Sequence, residues 1–370
     1  MRAVPPAVES SVIASLVCFT LWPDQAVARA KDSYDHRGFT MQDIPIIDLA
    51  ALDRAATRKT LDSACREWGF FYLVGNPINQ HLSMQMHTAM HRFFALDLAD
   101  KLAVERTADN PWGFYNRELT KNVRDWKEIF DVGPNITSAG LKSAQAQWPD
   151  VGKLGHLQGF RSTVLAFSSA CEALAMRLLQ AISQNLGMPA QYLDAFFDTG
   201  HTSFLRLNHY PPCSSPAPAD TPSTPSDGHL GINHHTDSGA LTVLLQDAQP
   251  GLQVWHNNRW HLITPRADAL LINIGDLVQV WSNDYYRAPL HRVLANAAAD
   301  RYSAPYFFNP GYATMVAPLS GVCDDKHLPH YRAFSWGEFR AARAAGDYAD
   351  QGEEIQISDY RTTASCHFSA

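Results

Sequence analysis

The sequence predicts a mainly β protein with flanking helices, built around a jelly-roll double sheet. Three observations carry this expectation. From Ser203 to Phe308 the chain reads as short apolar runs at close spacing, which suits a sandwich or a closed double sheet. Ahead of them lies one long helical period, about 158–186, of the kind that backs a sheet. Histidine and acidic side chains stand at the ends of those runs, where sheet ends face a common interior.

The elements follow in order. Ile44 to Leu49 reads as a short strand, and residues 52–68 place apolar groups at helical spacing. Phe70 to Val74 is a buried strand, stopped by Gly75-Asn76-Pro77. A second helix carries Met86, Met90, Phe93 and Phe94 on one stripe, a core pattern rather than a cofactor box. Residues 107–121 are rich in turns and aromatics. The long helix puts Phe167, Cys171, Leu174, Leu178, Ile182 and Leu186 on one period and ends at Gly187 and Pro189.

Ser203–Tyr210 begins the β region and leads into a proline- and serine-rich loop from Pro211 to about Gly228. A loop of that length is either mobile or the rim of a site. Strands are expected in the segment that starts with His235 and at Gly251–Trp255, Trp260–Ile263, Ala269–Ile274, Leu277–Trp281, His291–Val293 and Tyr302–Phe308. A last helix covers about 335–346, and there is no internal repeat. The resulting partition is an extension (1–41), a helical and strand region (42–195), the jelly-roll core (196–315) and a C-terminal helix with its tail (316–370).

A chain of 370 residues has room for one large β-rich domain with helical additions. Its net charge of −7 argues against a nucleic-acid-binding surface. No apolar run reaches the roughly 18 residues of a membrane span. Six cysteines without a CxxC pair look like reduced thiols in a cytoplasmic protein. The first forty residues are read as an unstructured or spurious extension. The alternative is export, since Val12–Trp22 resembles a signal core and Ala26-Val27-Ala28 a cleavage site. A monomer acting on a small-molecule substrate is expected.

The chemistry centres on His235-Thr236-Asp237. In an extended segment His235 and Asp237 point one way and Thr236 the other. An imidazole beside a carboxylate is part of a metal site, and the best third ligand is His291, 54 residues beyond Asp237. Two histidines and a carboxylate with open positions form the facial triad of non-haem Fe(II) oxygenases. A surface His/Asp pair is the blander reading, and His234, His256 and His261 are decoys. Ten residues after His291, Arg301 and Ser303 share one face of an apolar strand. A buried arginine needs an anionic partner, and an iron-bound oxoacid supplies one. The alternation extends to Phe307 and Asn309, and an earlier strand aligns Arg206, Asn208 and Tyr210. Asn208 and Tyr210 are candidates for the oxoacid. Arg206, Phe307 and Asn309 are candidates for the main substrate.

These residues resemble a known family. Ile44-Pro45-Ile46-Ile47-Asp48-Leu49, Cys65-Arg66-Glu67-Trp68-Gly69-Phe70-Phe71, Asn208-His209-Tyr210-Pro211-Pro212-Cys213, His235-Thr236-Asp237, His291-Arg292-Val293 and Arg301-Tyr302-Ser303 are similar to motifs of the isopenicillin N synthase-like Fe(II)- and 2-oxoglutarate-dependent dioxygenases. The resemblance runs from about Ile44 to Arg361. It implies a double-stranded β-helix, the distorted jelly roll, wrapped by helices. It implies Fe(II) on His235, Asp237 and His291, and 2-oxoglutarate on Arg301 and Ser303 with help from Tyr210. The implied reaction uses O₂, with ascorbate as an optional reductant. It releases succinate and CO₂ and hydroxylates or desaturates a small organic molecule. An aromatic pocket from Phe114, Tyr115, Phe307 and Phe308 favours a partly apolar substrate. Oxidase-type and ethylene-forming relatives, and a silent metabolite-binding protein, are the alternatives.

Overall fold

The computed structural model describes residues 44–138, 141–198, 200–221, 225, 227–348 and 355–362. The extension with its possible signal core and cleavage site lies outside the described residues, as do Cys18 and Cys366.

Twelve strands build two sheets. They are β1 (Ile46–Asp48), β2 (Phe70–Val74), β3 (Gly113–Tyr115), β4 (Glu128–Val132), β5 (Phe204–Tyr210) and β6 (Leu230–His235), followed by β7 (Leu241–Gln246), β8 (Leu252–His256), β9 (Arg259–Leu262), β10 (Leu270–Ile274), β11 (His291–Leu294) and β12 (Arg301–Phe308). The larger sheet has the order β1-β2-β10-β7-β12-β5-β4-β3, and the smaller one β6-β11-β8-β9. Five helices bear on the argument: α1 (Ala55–Glu67), α2 (Gln80–Phe94), α3 (Phe160–Asn185), α4 (Asp276–Trp281) and α5 (Trp336–Tyr348). This is the double-stranded β-helix with flanking helices that the family resemblance implies.

Strand alternation divides the core. Phe71 and Leu73 of β2, Leu241 and Val243 of β7, Ile272 of β10, and Tyr302, Ala304 and Tyr306 of β12 join one buried cluster with α1, α2 and α3. Their neighbours Phe70, Tyr72, Leu244 and Leu271 point through the opposite face and pack against Leu252, Val254 and Val293 of the smaller sheet. One side of the large sheet is therefore sealed by helices, and the other faces the interior of the double sheet. Such two-sided burial explains why these strands read as largely apolar runs rather than as strict alternation. The stripe Met86, Met90, Phe93 and Phe94 is buried in the helix-side cluster. Helix α3 is long and apolar enough by composition to cross a membrane, but its buried stripe packs against α1, α2, β7 and β12.

Two expectations fail. Leu277–Trp281 is not a strand but most of helix α4. Its valines suggest a strand, yet all of its residues but Gln279 are buried, and periodicity cannot separate a short buried helix from a buried strand. Tertiary hydrogen bonds decide: the Asp276 and Leu277 amides donate to the Asp237 and Gly239 carbonyls at 2.8 and 3.1 Å. Nor does the His-Thr-Asp triplet open a strand. His235 ends β6, and the chain turns before β7 begins at Leu241.

The long loop after β5 is tied down at several points. Arg292, fully buried on β11, donates to the Ala219 carbonyl at 2.9 Å and to that of Thr221. Its guanidinium lies 4.1 Å from the Trp260 ring centre.

Candidate active site

His235 and His291 sit directly opposite each other on β6 and β11. The register of that pair is irregular on the β6 side, which allows a bent strand end to aim its last side chain inward. The turn after His235 then brings Asp237 beneath both rings. Asp237 Oδ1 lies 3.6 Å from His235 Nε2 and 3.6 Å from His291 Nε2. One ligand atom from each residue falls within 4.8 Å of the other two, a spacing that one ion with bonds of about 2 Å can bridge.

The remaining atoms of these side chains are committed elsewhere. His235 Nδ1–H donates to the Asn233 carbonyl at 2.8 Å, and His291 Nδ1–H to the Pro289 carbonyl at 3.0 Å. A carbonyl only accepts, so both rings carry a proton on Nδ1, and in its neutral form each turns a lone pair on Nε2 toward Asp237. Asp237 Oδ2 accepts from Asn273 Nδ2 at 2.7 Å and from the Thr242 hydroxyl. Thr242 and Asn273 are themselves opposite partners on β7 and β10. Oδ1 is thus left for a cation. Burial alone would raise the Asp237 pKa, but the two imidazoles and the Asn273 amide outweigh it and hold the carboxyl well below its ordinary value. Burial, aided by His235, lowers His291 to about 4, which keeps that ring neutral and able to bind a metal at neutral pH.

The second cluster lies on β5 and β12. Arg301 is opposite Tyr210, and Ser303 is opposite Asn208. Asn208 Nδ2 donates to Ser303 Oγ at 3.3 Å. Arg301 is 1% exposed. Its Nη2 donates to Gln246 at 3.1 Å, whereas Nε and Nη1 are buried with no hydrogen-bond partner among the described residues. A buried guanidinium with unused donors is costly unless an anion meets it. The planar fork suits a carboxylate. Gly231 on β6 allows the approach of Tyr210, since a Cβ there would come within 2.8 Å of the tyrosine ring.

Both clusters open into one cavity, also lined by Arg206, Phe307 and Asn309. Arg206 is not a free anion hook. Its guanidinium is paired with Asp131 at 2.8 Å and with Glu118 at 2.8 and 2.9 Å. Phe307 and Asn309 line the cavity, and Asn309 Oδ1 has no hydrogen-bond partner among the described residues. Phe114 does not reach it. It pairs across to Phe130 on β4, and both rings enter the helix-side core against Phe93. Phe308 joins the same core, and Tyr115 lies under the Arg106 guanidinium at 3.6 Å. The aromatic pocket expected from these four residues therefore reduces to Phe307: alternation turns Phe114 and Phe308 into the helix-side core, and Tyr115, on the other face of β3, is taken up by Arg106. His256 and His261 pack around Trp68 instead of joining the metal cluster.

The chain matches the 2OG-Fe(II) oxygenase superfamily over residues 201–310, and the non-haem dioxygenase N-terminal region (in morphine synthesis) over residues 44–151. It is 34% identical over 330 residues to gibberellin 2-beta-dioxygenase 6 of Oryza sativa subsp. japonica, covering 86% of this chain and 85% of that protein. The chain belongs to the 2OG-Fe(II) oxygenase superfamily. This oxygenase is also 31% identical over 354 residues to gibberellin 20 oxidase 1 of Arabidopsis thaliana, covering 92% of this chain and 88% of that one. Among solved structures it is similar to JOX2 in complex with 2OG, Fe and JA, with a TM-score of 0.71, 26% identity, and 86% and 89% of the two chains covered. It is likewise similar to a full-length Neurospora crassa protein in complex with alpha-KG, with a TM-score of 0.70, 28% identity, and 82% and 95% covered. The oxygenase is a 2-oxoglutarate-dependent non-haem iron dioxygenase acting on small molecules.

Several contributors to the site were not anticipated from the sequence, among them Glu118, Lys127 and Gln246. Asn273 and Thr242 orient Asp237. Arg340 and Arg343 of α5 line the cavity from a helix that reads as only a tail. The first pair left a signal: each is a polar residue flanked on both sides by apolar ones in its strand. The second left none.

Proposed function

We infer that His235 Nε2, Asp237 Oδ1 and His291 Nε2 hold Fe(II), and that Arg301 holds the distal carboxylate of 2-oxoglutarate with Ser303 and Tyr210 beside it. The observation that carries the second assignment is the pair of buried, unpartnered nitrogens on Arg301. Bound there, iron with 2-oxoglutarate and O₂ supplies the oxidising power for a C–H bond, with succinate and CO₂ as by-products. The protein's part is to keep the three ligands on one face, orient the oxoacid through β12 and β5, and exclude water with the interior of the double sheet.

The substrate is read as a partly apolar small molecule with an acidic group. Phe307 and Pro305 supply apolar wall. Arg340 is half-buried on the cavity wall, near the Phe204 ring at 5.9 Å, and among the described residues it has no ion pair. Unlike Arg206, it has charge to spare. The gibberellin dioxygenases and oxidases among its relatives make gibberellins the first compounds to test.

A succinate-release assay with Fe(II), ascorbate, 2-oxoglutarate and a panel of acids and their methyl esters tests this reading. Stimulation by an acid but not by its ester is expected, and Arg340→Met should remove the preference. Equal stimulation by acid and ester would overturn the anionic-substrate reading. Substrate oxidation without 2-oxoglutarate would overturn the Arg301 assignment in favour of an oxidase.

A further inference from the structure

We propose that Arg343 is a positioning residue that holds the metal-ligand turn from the C-terminal helix, making that helix part of the iron site. The inference rests on the metal assignment above and adds a residue that contacts no ligand atom.

The need for such a residue follows from the turn itself. His235 is the last residue of β6, and β7 begins only at Leu241. Asp237 therefore lies outside both strands, so ladder hydrogen bonds do not fix it. Its peptide is held from two other directions. From below, the Asp276 amide at the start of α4 donates to the Asp237 carbonyl at 2.8 Å. Gly275 permits that contact, because a Cβ there would meet the Gly239 carbonyl oxygen at 2.2 Å. From the side, Arg343 Nη2 donates to the carbonyl of Thr236 at 2.9 Å. Thr236 is the one residue between the two ligands, so its carbonyl belongs to the peptide that leads into Asp237.

The arginine is well placed to be rigid. It is 4% exposed. Its Nη1 donates to the Ile355 carbonyl at 3.1 Å and to Gln356 Oε1 at 3.3 Å, and lies 3.9 Å from an Asp276 carboxylate oxygen. Asp276 is fully buried. One guanidinium thus joins the ligand turn, the start of α4 and the segment after α5. Only a planar group with several donors can make these bonds at once. Arg340, one turn earlier on α5, lines the same cavity, so the helix that meets the cavity also grips the metal turn.

Groups that orient metal ligands typically contribute about 10–100-fold to metal affinity. The test is titration of the full-length metal-free protein with Co(II) under anaerobic conditions, read by ligand-field absorbance, alongside urea unfolding of the same metal-free protein. Wild type should bind one equivalent. Arg343→Met should weaken the Kd about tenfold or more, whereas Glu338→Gln, an exposed change on the same helix, should leave it unaltered. A folded Arg343→Met protein that binds Co(II) as tightly as wild type overturns the proposal, even if its urea midpoint has fallen, because that pattern is a purely structural role. If Arg343→Met does not fold, Arg343→Lys decides: about threefold or more weakening supports the proposal, and wild-type affinity overturns it. Failure of wild type itself to bind Co(II) would instead sink the metal assignment.

Discussion

The Arg301 guanidinium lies 4.9 Å from the centre of the Tyr210 ring, and the two residues are direct partners on β12 and β5. The ring covers one face of a cation whose Nε and Nη1 have no hydrogen-bond partner among the described residues. Stacking on an aromatic leaves the in-plane donors available, which is the arrangement for gripping a carboxylate edge-on.

Arg301→Lys should therefore raise the KM for 2-oxoglutarate by about tenfold or more. It replaces a forked pair of charge-assisted bonds, each worth about 1.5–3 kcal/mol, with a point contact. Steady-state succinate release at fixed substrate checks it. An unaltered KM would place the oxoacid elsewhere.

His235→Ala should abolish stoichiometric Fe(II) binding. Asn273→Ala should only weaken it, by about tenfold, because it frees one oxygen of Asp237 without removing a ligand. Anaerobic equilibrium dialysis separates the two outcomes. Full iron content in the histidine variant would remove the metal assignment.

Beside the cavity, Glu118 bridges Lys127 at 2.8 Å, Arg206 at 2.8 Å and Arg106 at 3.2 Å, all but out of contact with water. Burial opposes its ionisation, but the three cations outweigh burial and hold its carboxyl far below the ordinary range. Glu118→Gln leaves three buried cations facing two carboxylates, Asp125 and Asp131, and should cost about 3 kcal/mol. Urea denaturation measures this, and an unmoved midpoint would show that the cluster does not contribute to stability.

His87 on α2 has a buried Nδ1 with no hydrogen-bond partner among the described residues. Burial, with a smaller contribution from His91, lowers its pKa to about 4. The unfolded chain, with an ordinary histidine near 6.5, takes up this proton first. Stability from this site is intact above about pH 6.5, falls as pH drops, and reaches its full loss near pH 4. At pH 5 the loss should be about 1–2 kcal/mol after allowing for partial solvation. His87→Gln should be less sensitive than wild type between pH 7 and pH 5. Parallel thermal unfolding at the two values checks this, and identical acid sensitivity would rule it out.

Much of this fold was legible because the relevant information is local. A continuous apolar run marks a strand covered on both faces, as in β2, and the few polar residues in β10 and β12, Asn273, Arg301 and Ser303, are the ones that face the site. Alternation along β5 and β12 places Arg206, Asn208, Tyr210, Arg301, Ser303, Phe307 and Asn309 on one face, and all seven line the cavity. Alternation does not say which face the helices cover. Phe114 reads as a pocket residue for that reason, although it packs on Phe93. Leu277–Trp281 reads as a strand because four of its five residues are apolar and buried, which hides the helical period.

The sequence by itself determined the chemical inventory: two histidines and an aspartate at the ends of apolar runs, and an arginine too apolar in its setting to go without an anion. Only tertiary structure decided how Asp237 is aimed. That depends on Thr242 and Asn273 from neighbouring strands and on Arg343, which lies 107 residues from Thr236. Hydrogen bonds between distant segments leave no periodic trace in a chain, because their geometry exists only once the sheets and helices have packed.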